Sequence, residues 1–145
     1  MNNHLKKANL HQLINESLLK RIPSESDVGK ELLEAMHYAV MGGGKRIRPI
    51  LTLAACESVG ASSESAIDAA CAIEMIHAYS LIHDDLPAMD DSATRHGQAS
   101  THVVFGEAQA ILAGDALQSL AFQLIGESNQ LTDPVKVSIV LLLSR

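Results

Sequence analysis

The chain has 145 residues, which is enough for one domain with a sizeable hydrophobic core. Its 17 acidic residues outnumber its 11 basic ones, and the net charge of −6 argues against nucleic acid as a partner, because binding to a phosphate backbone depends on a positive surface. Hydrophobic residues make up 47% of the chain but include no Trp and only two Phe and two Tyr, so aliphatic side chains must fill the core.

Two amphipathic helices are predicted in the first forty residues, because apolar residues recur at helical spacing over residues 4–22 and 28–40. Three consecutive glycines, residues 42–44, end the second helix. They are explained either by a helix C-cap and a turn, since glycine tolerates positive φ, or by close approach of the backbone to a phosphate. The other residues of a P-loop and its preceding strand are missing from the sequence, so that motif does not explain them.

The densest positive cluster follows these glycines, and its Lys45 and Arg48 are candidate ligands of a small anion. A guanidinium fork at Arg48 and a point charge at Lys45 suit a diphosphate. Arg48 precedes Pro49 and is therefore expected to be extended, at a junction between a loop and a helix. Pro49 is expected to open a helix that runs to residues 59–60, and residues 65–82 form the longest helical candidate.

Four aspartates within eight residues form the most distinctive stretch: Asp84 and Asp85 precede Pro87, and Asp90 and Asp91 follow it. Four like charges this close repel one another unless a cation lies between them, and carboxylate oxygens are ligands that Mg²⁺ prefers. The proline should end or kink the helix near Asp84 and fold Asp90 back towards it. The stretch is interpreted as a metal–phosphate site, with a solvated acidic helix end as the alternative.

One histidine shares a helix face with this stretch. Ile73, His77, Ser80 and Asp84 fall at i, i+4, i+7 and i+11, which places them on one side of the predicted helix. A single histidine on such a face is usually a core residue with its ring hydrogen-bonded. Because His77 points the same way as Asp84, it is also a candidate lining residue of the pocket.

The rest of the chain is predicted to be helical after an irregular segment. Residues 92–106 are polar and contain one strand-like run, residues 101–105, which is too isolated to build a sheet. Helical spacing returns over residues 107–125, and Thr132, Asp133 and Pro134 are typical of a helix start. Residues 135–143 are apolar nearly all round, as in a helix inside a larger protein. We expect one all-α domain over residues 1–145.

Neither the cysteines nor the hydrophobic runs indicate export or membrane insertion. Cys56 and Cys71 lack metal-site spacing and lie in apolar, helix-like surroundings, so both are expected to be buried and reduced. The N-terminal residues are not followed by a signal-peptide apolar stretch. No run reaches the roughly 20 apolar residues that a bilayer span needs. A cytoplasmic protein without stable membrane insertion is expected.

Three stretches together resemble the N-terminal half of a trans-isoprenyl diphosphate synthase, and in particular a bacterial farnesyl diphosphate synthase. They are residues 43–49 (GGKRIRP), residues 74–91 (EMIHAYSLIHDDLPAMDD) and residues 105–117, with FGE at the start and AGDAL at the end. Together they cover most of residues 30–125, which makes the resemblance more specific than any single motif.

The resemblance implies a helical bundle of the isoprenoid synthase type and a prenyltransferase of isoprenoid biosynthesis. Such a transferase joins an allylic diphosphate, dimethylallyl or geranyl, to isopentenyl diphosphate and yields farnesyl diphosphate. The allylic carbon–oxygen bond breaks, isopentenyl diphosphate attacks the allylic cation, and loss of a proton completes the product. Mg²⁺ bridging carboxylates and diphosphate stabilises the charge that develops on the leaving group.

The resemblance also implies a role for each matching residue. Asp84 and Asp90 are the expected Mg²⁺ ligands, with Asp85 and Asp91 in support, and Asp84, Asp85 and Asp90 are the expected catalytic residues. Arg95 matches a contact to the allylic diphosphate, and Tyr79 a bulky residue that limits product length to fifteen carbons. The expected contacts to isopentenyl diphosphate are Lys45, Arg48, His77 and His96.

Two departures from the family's pattern affect these expectations. His96 stands where the family normally has a second arginine, which predicts weaker and more pH-dependent binding of isopentenyl diphosphate. The residues after Asp91 contain no second pair of adjacent aspartates, whereas the family carries a second aspartate-rich motif in its other half. Pairing with a C-terminal half is therefore expected, or a homodimer, which is usual for the family that the chain resembles. The alternative is a non-catalytic remnant or subunit that associates with another synthase chain.

Overall fold

A computed structural model describes the backbone of residues 3–24 and 29–145, and the side chains from residue 8 onward within those ranges. The described residues form seven α-helices, a 3₁₀ turn and one short hairpin, so the predicted all-α class is confirmed. In chain order the elements are α1 (Asn3–Arg21), α2 (Lys30–Met41), α3 (Ile47–Ser58), the 3₁₀ turn (Ser63–Ala66), α4 (Ile67–Asp84), β1 (Thr94–Arg95), β2 (Gln98–Ala99), α5 (Thr101–Phe105), α6 (Glu107–Glu127) and α7 (Asp133–Leu143).

The bundle is built around the contact between α4 and α6. Helix α6 buries mainly alanine and glycine, and α4 buries three alanines and a cysteine among larger side chains, which lets the two backbones approach closely. At Gly114 of α6 the two helices approach closely: an added Cβ would lie 2.7 Å from Cδ2 of His83, so the imidazole would have to move to admit a side chain. The other helices pack around this pair, and the fully buried aliphatic side chains include Ile14, Leu18, Leu53, Met75, Leu117 and Ile125.

Helix α7 lies at the margin of this core. None of its residues is buried, and four of its apolar side chains, at Val135, Val137, Leu141 and Leu142, are between 43% and 68% exposed. An apolar helix with this exposure agrees with the expectation that residues 135–143 belong against further protein.

One segment bears on the expectation about membrane spans. Residues Ser63–Asp84, which include α4, are long and apolar enough to cross a membrane by length and composition alone. In the bundle 56% of the apolar window is buried, and the core helix of a soluble protein meets the same criteria. Acidic residues such as Asp68 and Glu74 interrupt this segment, so it is not an uninterrupted run of roughly 20 apolar residues, and membrane insertion is not tested by this finding.

Three local predictions also differ from the structure. Residues 101–105 form helix α5 rather than a strand; Ser100 precedes it in an extended conformation and its carbonyl accepts from the amides of Val103 and Val104. Helix α3 begins at Ile47, so Arg48 is helical instead of extended. Pro49 fits because its missing N–H falls in the first turn, where that group has no partner within the helix. The second helix begins at Lys30; residue 28, where it was predicted to begin, lies outside the described residues.

A candidate diphosphate site

All five predicted substrate-binding residues line one cavity of about 710 Å³. Its walls are the glycine loop between α2 and α3, the first turn of α3, the middle of α4 and the β1–β2 hairpin. These elements are far apart in sequence, and each contributes a cationic or titratable side chain. The five predicted substrate-binding residues at the cavity are Lys45, Arg48, His77, Arg95 and His96, and Asp85 of the aspartate-rich stretch also lines it.

The four side chains that carry a permanent positive charge here fall into two pairs. Within the described part of the chain, Lys45 and Arg48 are exposed and neither forms an ion pair. Arg46 and Arg95, in contrast, are each bonded to a carboxylate. An incoming anion therefore meets Lys45 and Arg48 as free charges, while the other two guanidinium groups are already engaged.

His77 faces these charges from α4. Partial burial is the main cause that lowers its pKa from 6.5, and the positive charges of Arg48 and Arg95 together with His96 lower it further. Glu74, one turn earlier on α4, opposes them. At neutral pH the imidazole is therefore neutral and offers one N–H donor and one acceptor. The geometry supports the interpretation of His77 as a lining residue.

His96 reaches the cavity through a tight hairpin that the sequence reading missed. Thr94 pairs with Ala99 and Arg95 with Gln98, so only His96 and Gly97 form the turn. Both have positive φ, 53° and 81°, as a two-residue type I′ turn requires. Tyr38 of α2 donates a hydrogen bond from its hydroxyl to the carbonyl of Ala99 over 2.8 Å and fixes the hairpin. The glycine after His96 was the available signal.

The aspartate-rich stretch folds as its proline predicts. Helix α4 ends at Asp84, three residues before Pro87, and the chain turns back on itself. The amide of Asp90 donates to the carbonyl of Asp84 over 2.8 Å, and the amide of Asp91 donates to the carbonyl of Leu86 over 3.1 Å. The expectation that Asp90 folds back towards Asp84 is confirmed for the backbone.

The four carboxylates occupy two different environments. Asp84, Asp90 and Asp91 are exposed and lie outside the lining of the cavity. Asp85 is 3% exposed, lines the cavity, and accepts hydrogen bonds from Nε and from a terminal nitrogen of Arg95. The hydrogen bond from Arg95 to Asp85 is the largest cause that raises the pKa of this arginine. Asp85 thus holds Arg95 in place in this structure.

The exposed carboxylates fit Mg²⁺ shared with a phosphate ligand. Among the described residues no group of three or more His, Cys, Asp or Glu side chains forms a cage for a metal ion. Mg²⁺ does not require such a cage, because it commonly takes one or two carboxylates from the protein and its other ligands from phosphate and water. Asp84 and Asp90 lie on the same turn of the chain with exposed side chains, so they can supply the one or two protein carboxylates that Mg²⁺ takes.

Tyr79 lies on α4 but is not among the residues that line the cavity. Its ring packs edge-on against the imidazole of His83, with centroids 4.8 Å apart. Nε2 of His83 in turn lies 3.1 Å from the carbonyl oxygen of Ile111 in α6, which is hydrogen-bonding distance. The structure therefore separates Tyr79 from the five cavity residues and places it at the contact between α4 and α6.

Comparison with known proteins supports the resemblance seen in the sequence. A family model described as "Polyprenyl synthetase" matches residues 29–143. A farnesyl diphosphate synthase of Haemophilus influenzae is 51% identical over 114 residues, which are 79% of this chain and 39% of that protein. The large subunit 1 of a heterodimeric geranylgeranyl pyrophosphate synthase of Arabidopsis thaliana is 48% identical over 128 residues, 87% of this chain and 34% of that protein.

Solved structures give the same result for the fold. A geranyltransferase of Legionella pneumophila matches with a TM-score of 0.88 and 35% identity, over 98% of this chain and 50% of that one. An FPP/GFPP synthase of Zymomonas mobilis matches with a TM-score of 0.85 and 40% identity, over 95% of this chain and 52% of that one. The chain spans about half the length of these structures and a smaller part of the curated relatives.

Proposed function

The chain belongs to the polyprenyl synthetase family. We propose that it provides the binding site for isopentenyl diphosphate and one of the two aspartate-rich, metal-binding motifs of a prenyl diphosphate synthase. The observation that carries this proposal is that Lys45 and Arg48, which form no ion pair with any described residue, lie at the cavity that also exposes His77 and Arg95. Charge-assisted hydrogen bonds from an arginine fork and a lysine are well suited to a diphosphate.

The exposed carboxylates serve the second, allylic diphosphate. In this proposal Asp84 and Asp90 hold Mg²⁺, which would stabilise the negative charge of the departing diphosphate as a Lewis acid. Asp85 fixes the guanidinium of Arg95 beside the same motif, so that Arg95 can donate to the allylic diphosphate from a set position. The negative charge on the departing diphosphate would therefore be stabilised both by Mg²⁺ and by the guanidinium of Arg95.

The reaction that this arrangement supports is head-to-tail prenyl transfer. The carbon–oxygen bond of the allylic diphosphate breaks and leaves an allylic cation and diphosphate. The double bond of isopentenyl diphosphate forms the new carbon–carbon bond, and a proton is lost. Ala78, Leu81 and Ile82 give the cavity an apolar wall on α4, where water would otherwise trap the cation.

Product length is a finer part of the proposal. The relatives include farnesyl and geranylgeranyl synthases, and a fifteen-carbon product for this chain rests on the resemblance at Tyr79. In the structure that ring is held by His83 at the α4–α6 contact. The length of the product made with a complementing C-terminal half decides between the two classes.

Calorimetry of an allylic diphosphate tests the proposal. Geranyl diphosphate is titrated into the wild-type chain with and without Mg²⁺, and then into Asp84→Ala and Asp133→Ala. Asp133 is an exposed acid in the first turn of α7 and serves as the matched control. We expect Mg²⁺-dependent binding in the wild type and the control, and none in Asp84→Ala. No binding by the wild type, even with a C-terminal half of the family added, would refute the proposal.

Association with a second synthase chain is a distinct candidate function, favoured by the exposed apolar side chains of α7. Some relatives are named as subunits of heterodimeric synthases. If the chain is a non-catalytic partner, the wild-type chain and Asp84→Ala should bind a C-terminal half with equal affinity, and neither chain mixed with that half should form product. If both chains bind the C-terminal half equally but only the wild-type mixture forms product, the result would instead support the enzyme hypothesis.

A further inference from the structure

Arg46 lies in sequence between Lys45 and Arg48, the two exposed cations of the cavity, and its own charge is buried. The residue is 5% exposed and has φ 49° and ψ 35°, a left-handed conformation that is uncommon for residues other than glycine. Its carbonyl accepts the hydrogen bond from the amide of Ile50 that begins the ladder of α3. The side chain of Arg46 therefore points into the bundle, while those of Lys45 and Arg48 are exposed.

The guanidinium of Arg46 binds three helices at once. Its Nε donates to Oδ1 of Asn15 in α1 over 2.9 Å, and one terminal nitrogen donates to Oε1 of Glu74 in α4 over 2.8 Å. The other terminal nitrogen donates to the carbonyl of Val40 in α2 over 2.7 Å. The backbone at Arg46 is thus fixed relative to α1, α2 and α4, and α4 is the helix that carries His77.

The preceding loop has little conformational preference of its own. Gly43 and Gly44 have φ of 122° and 107°, and consecutive glycines lose more conformational freedom on ordering than other residues do. A second polar tie reaches the same loop, because Nε2 of His11 lies 3.3 Å from the carbonyl oxygen of Gly44. The position of Lys45 consequently depends on what holds the chain at Gly44 and Arg46.

We propose that Arg46 is a positioning residue: its bonds to Asn15, Glu74 and Val40 hold the backbone so that Lys45 and Arg48 present their charges together to a diphosphate. This deepens the proposed function and rests on it for the identity of the ligand. The competing explanation is that Arg46 only neutralises the buried carboxylate of Glu74, whose side chain is 7% exposed.

Two variants separate these explanations. Arg46→Met leaves Glu74 buried and unpaired, which is strongly destabilising, whereas Arg46→Met with Glu74→Met replaces the ion pair by apolar side chains and recovers stability. If Arg46 positions the loop, the double variant regains its unfolding midpoint in denaturant but not the order of the loop. If Arg46 only neutralises Glu74, both are restored.

Loop order is measured by ¹⁵N relaxation of Gly43, Gly44 and Lys45, without any ligand. We expect order parameters to fall from about 0.85 in the wild type to below about 0.6 in the double variant. Inorganic pyrophosphate with Mg²⁺ serves as the ligand probe in calorimetry. Its affinity should fall by at least about tenfold in the double variant, as expected when charge-assisted hydrogen bonds are lost.

The Arg21–Asp68 pair provides a matched control. It also joins α1 to α4, over 2.5 Å, but at the first turn of α4 and away from the glycine loop. Arg21→Met with Asp68→Met should leave both the loop order and the pyrophosphate affinity at wild-type values.

Wild-type loop order in the variant that lacks Arg46 and Glu74 would overturn the positioning role, whatever the affinity. A wild-type chain that takes up no pyrophosphate would instead count against the proposed function, and the relaxation data would still decide the role of Arg46.

Discussion

The amide of Asp90 donates to the carbonyl of Asp84 over 2.8 Å, so two aspartates that are six positions apart in sequence lie on the same turn of the chain. Between them in sequence, Asp85 turns inward and binds Arg95. The aspartate-rich stretch therefore combines two environments: the carboxylates of Asp84, Asp90 and Asp91 are exposed to solvent, and the buried carboxylate of Asp85 orients a guanidinium.

The first prediction compares a buried with an exposed carboxylate of this stretch. Asp85→Asn should lower the free energy of unfolding by about 1–3 kcal/mol, because it weakens a buried, charge-assisted contact with Arg95. Asp84→Asn should change it by no more than about 0.5 kcal/mol, because the side chain is exposed among like charges. Urea unfolding followed by circular dichroism measures both values. Equal effects would show that Asp85 and Asp84 are not in different environments.

The second prediction concerns the crossing of α4 and α6. Gly114→Ala should destabilise the protein by about 1–3 kcal/mol, because the new methyl group would overlap the imidazole of His83. Gly126→Ala on the same helix meets no atom within 4 Å and should be neutral or stabilising by up to about 1 kcal/mol through helix propensity. Thermal unfolding of the two variants provides the comparison, and a neutral Gly114→Ala would contradict the predicted cost of displacing the His83 imidazole.

The third prediction tests the histidine that stands in place of the family's arginine. A histidine is positively charged only when its imidazole is protonated, whereas an arginine is always charged. His96→Arg should therefore bind isopentenyl diphosphate more tightly at pH 8 and with a smaller pH dependence. His96→Asn, which also tolerates positive φ but has no charge, is the matched control and should bind more weakly. Calorimetry at pH 6 and pH 8 measures this, and equal affinities of wild type and His96→Arg would reject it.

The fourth prediction follows from the lowered pKa of His77. Because the folded state lowers this pKa below 6.5, the unfolded chain binds the proton more readily, and stability is lost as the pH falls through and below 6.5. The cause is partial burial first, then Arg48, with His96 and Arg95 adding to it and Glu74 opposing it. His77→Gln should lose less stability than the wild type between pH 7.5 and pH 5.5 in urea titrations. An identical pH profile for the two proteins would contradict the assignment.

The fifth prediction corrects the expectation that both cysteines are buried. Cys71 is fully buried, and its burial raises the pKa of the thiol to about 12, whereas Cys56 is partly exposed and donates its S–H to the carbonyl of Ser62 over 3.4 Å. A cysteine reacts with the disulfide reagent DTNB when its thiolate attacks the reagent, so one equivalent should react in the folded protein and two in urea. Cys56→Ser should abolish the reaction of the folded protein, and a fast-reacting Cys71 would refute its burial.

Much of the fold follows from patterns that a short stretch of sequence carries. The apolar spacing of residues 4–22, 65–82 and 107–125 predicted helices α1, α4 and α6, because a helix face is defined by neighbours three and four positions apart. Pro87 marked the end of α4 for an equally local reason, since it has no N–H to donate. The motifs in residues 43–49 and 74–91 predicted the family, which the comparisons then confirmed.

What only the tertiary structure decided involves partners far apart in the chain. Nothing local distinguishes Arg46 from Lys45 and Arg48, yet its guanidinium is buried against Glu74, 28 positions away, while its neighbours remain exposed. Asp85 and Asp84 are adjacent in sequence, but only Asp85 meets Arg95. Burial and charge pairing depend on which helices pack together, so the sequence by itself determined the family and its helices, and the packing determined which charges remain free to bind.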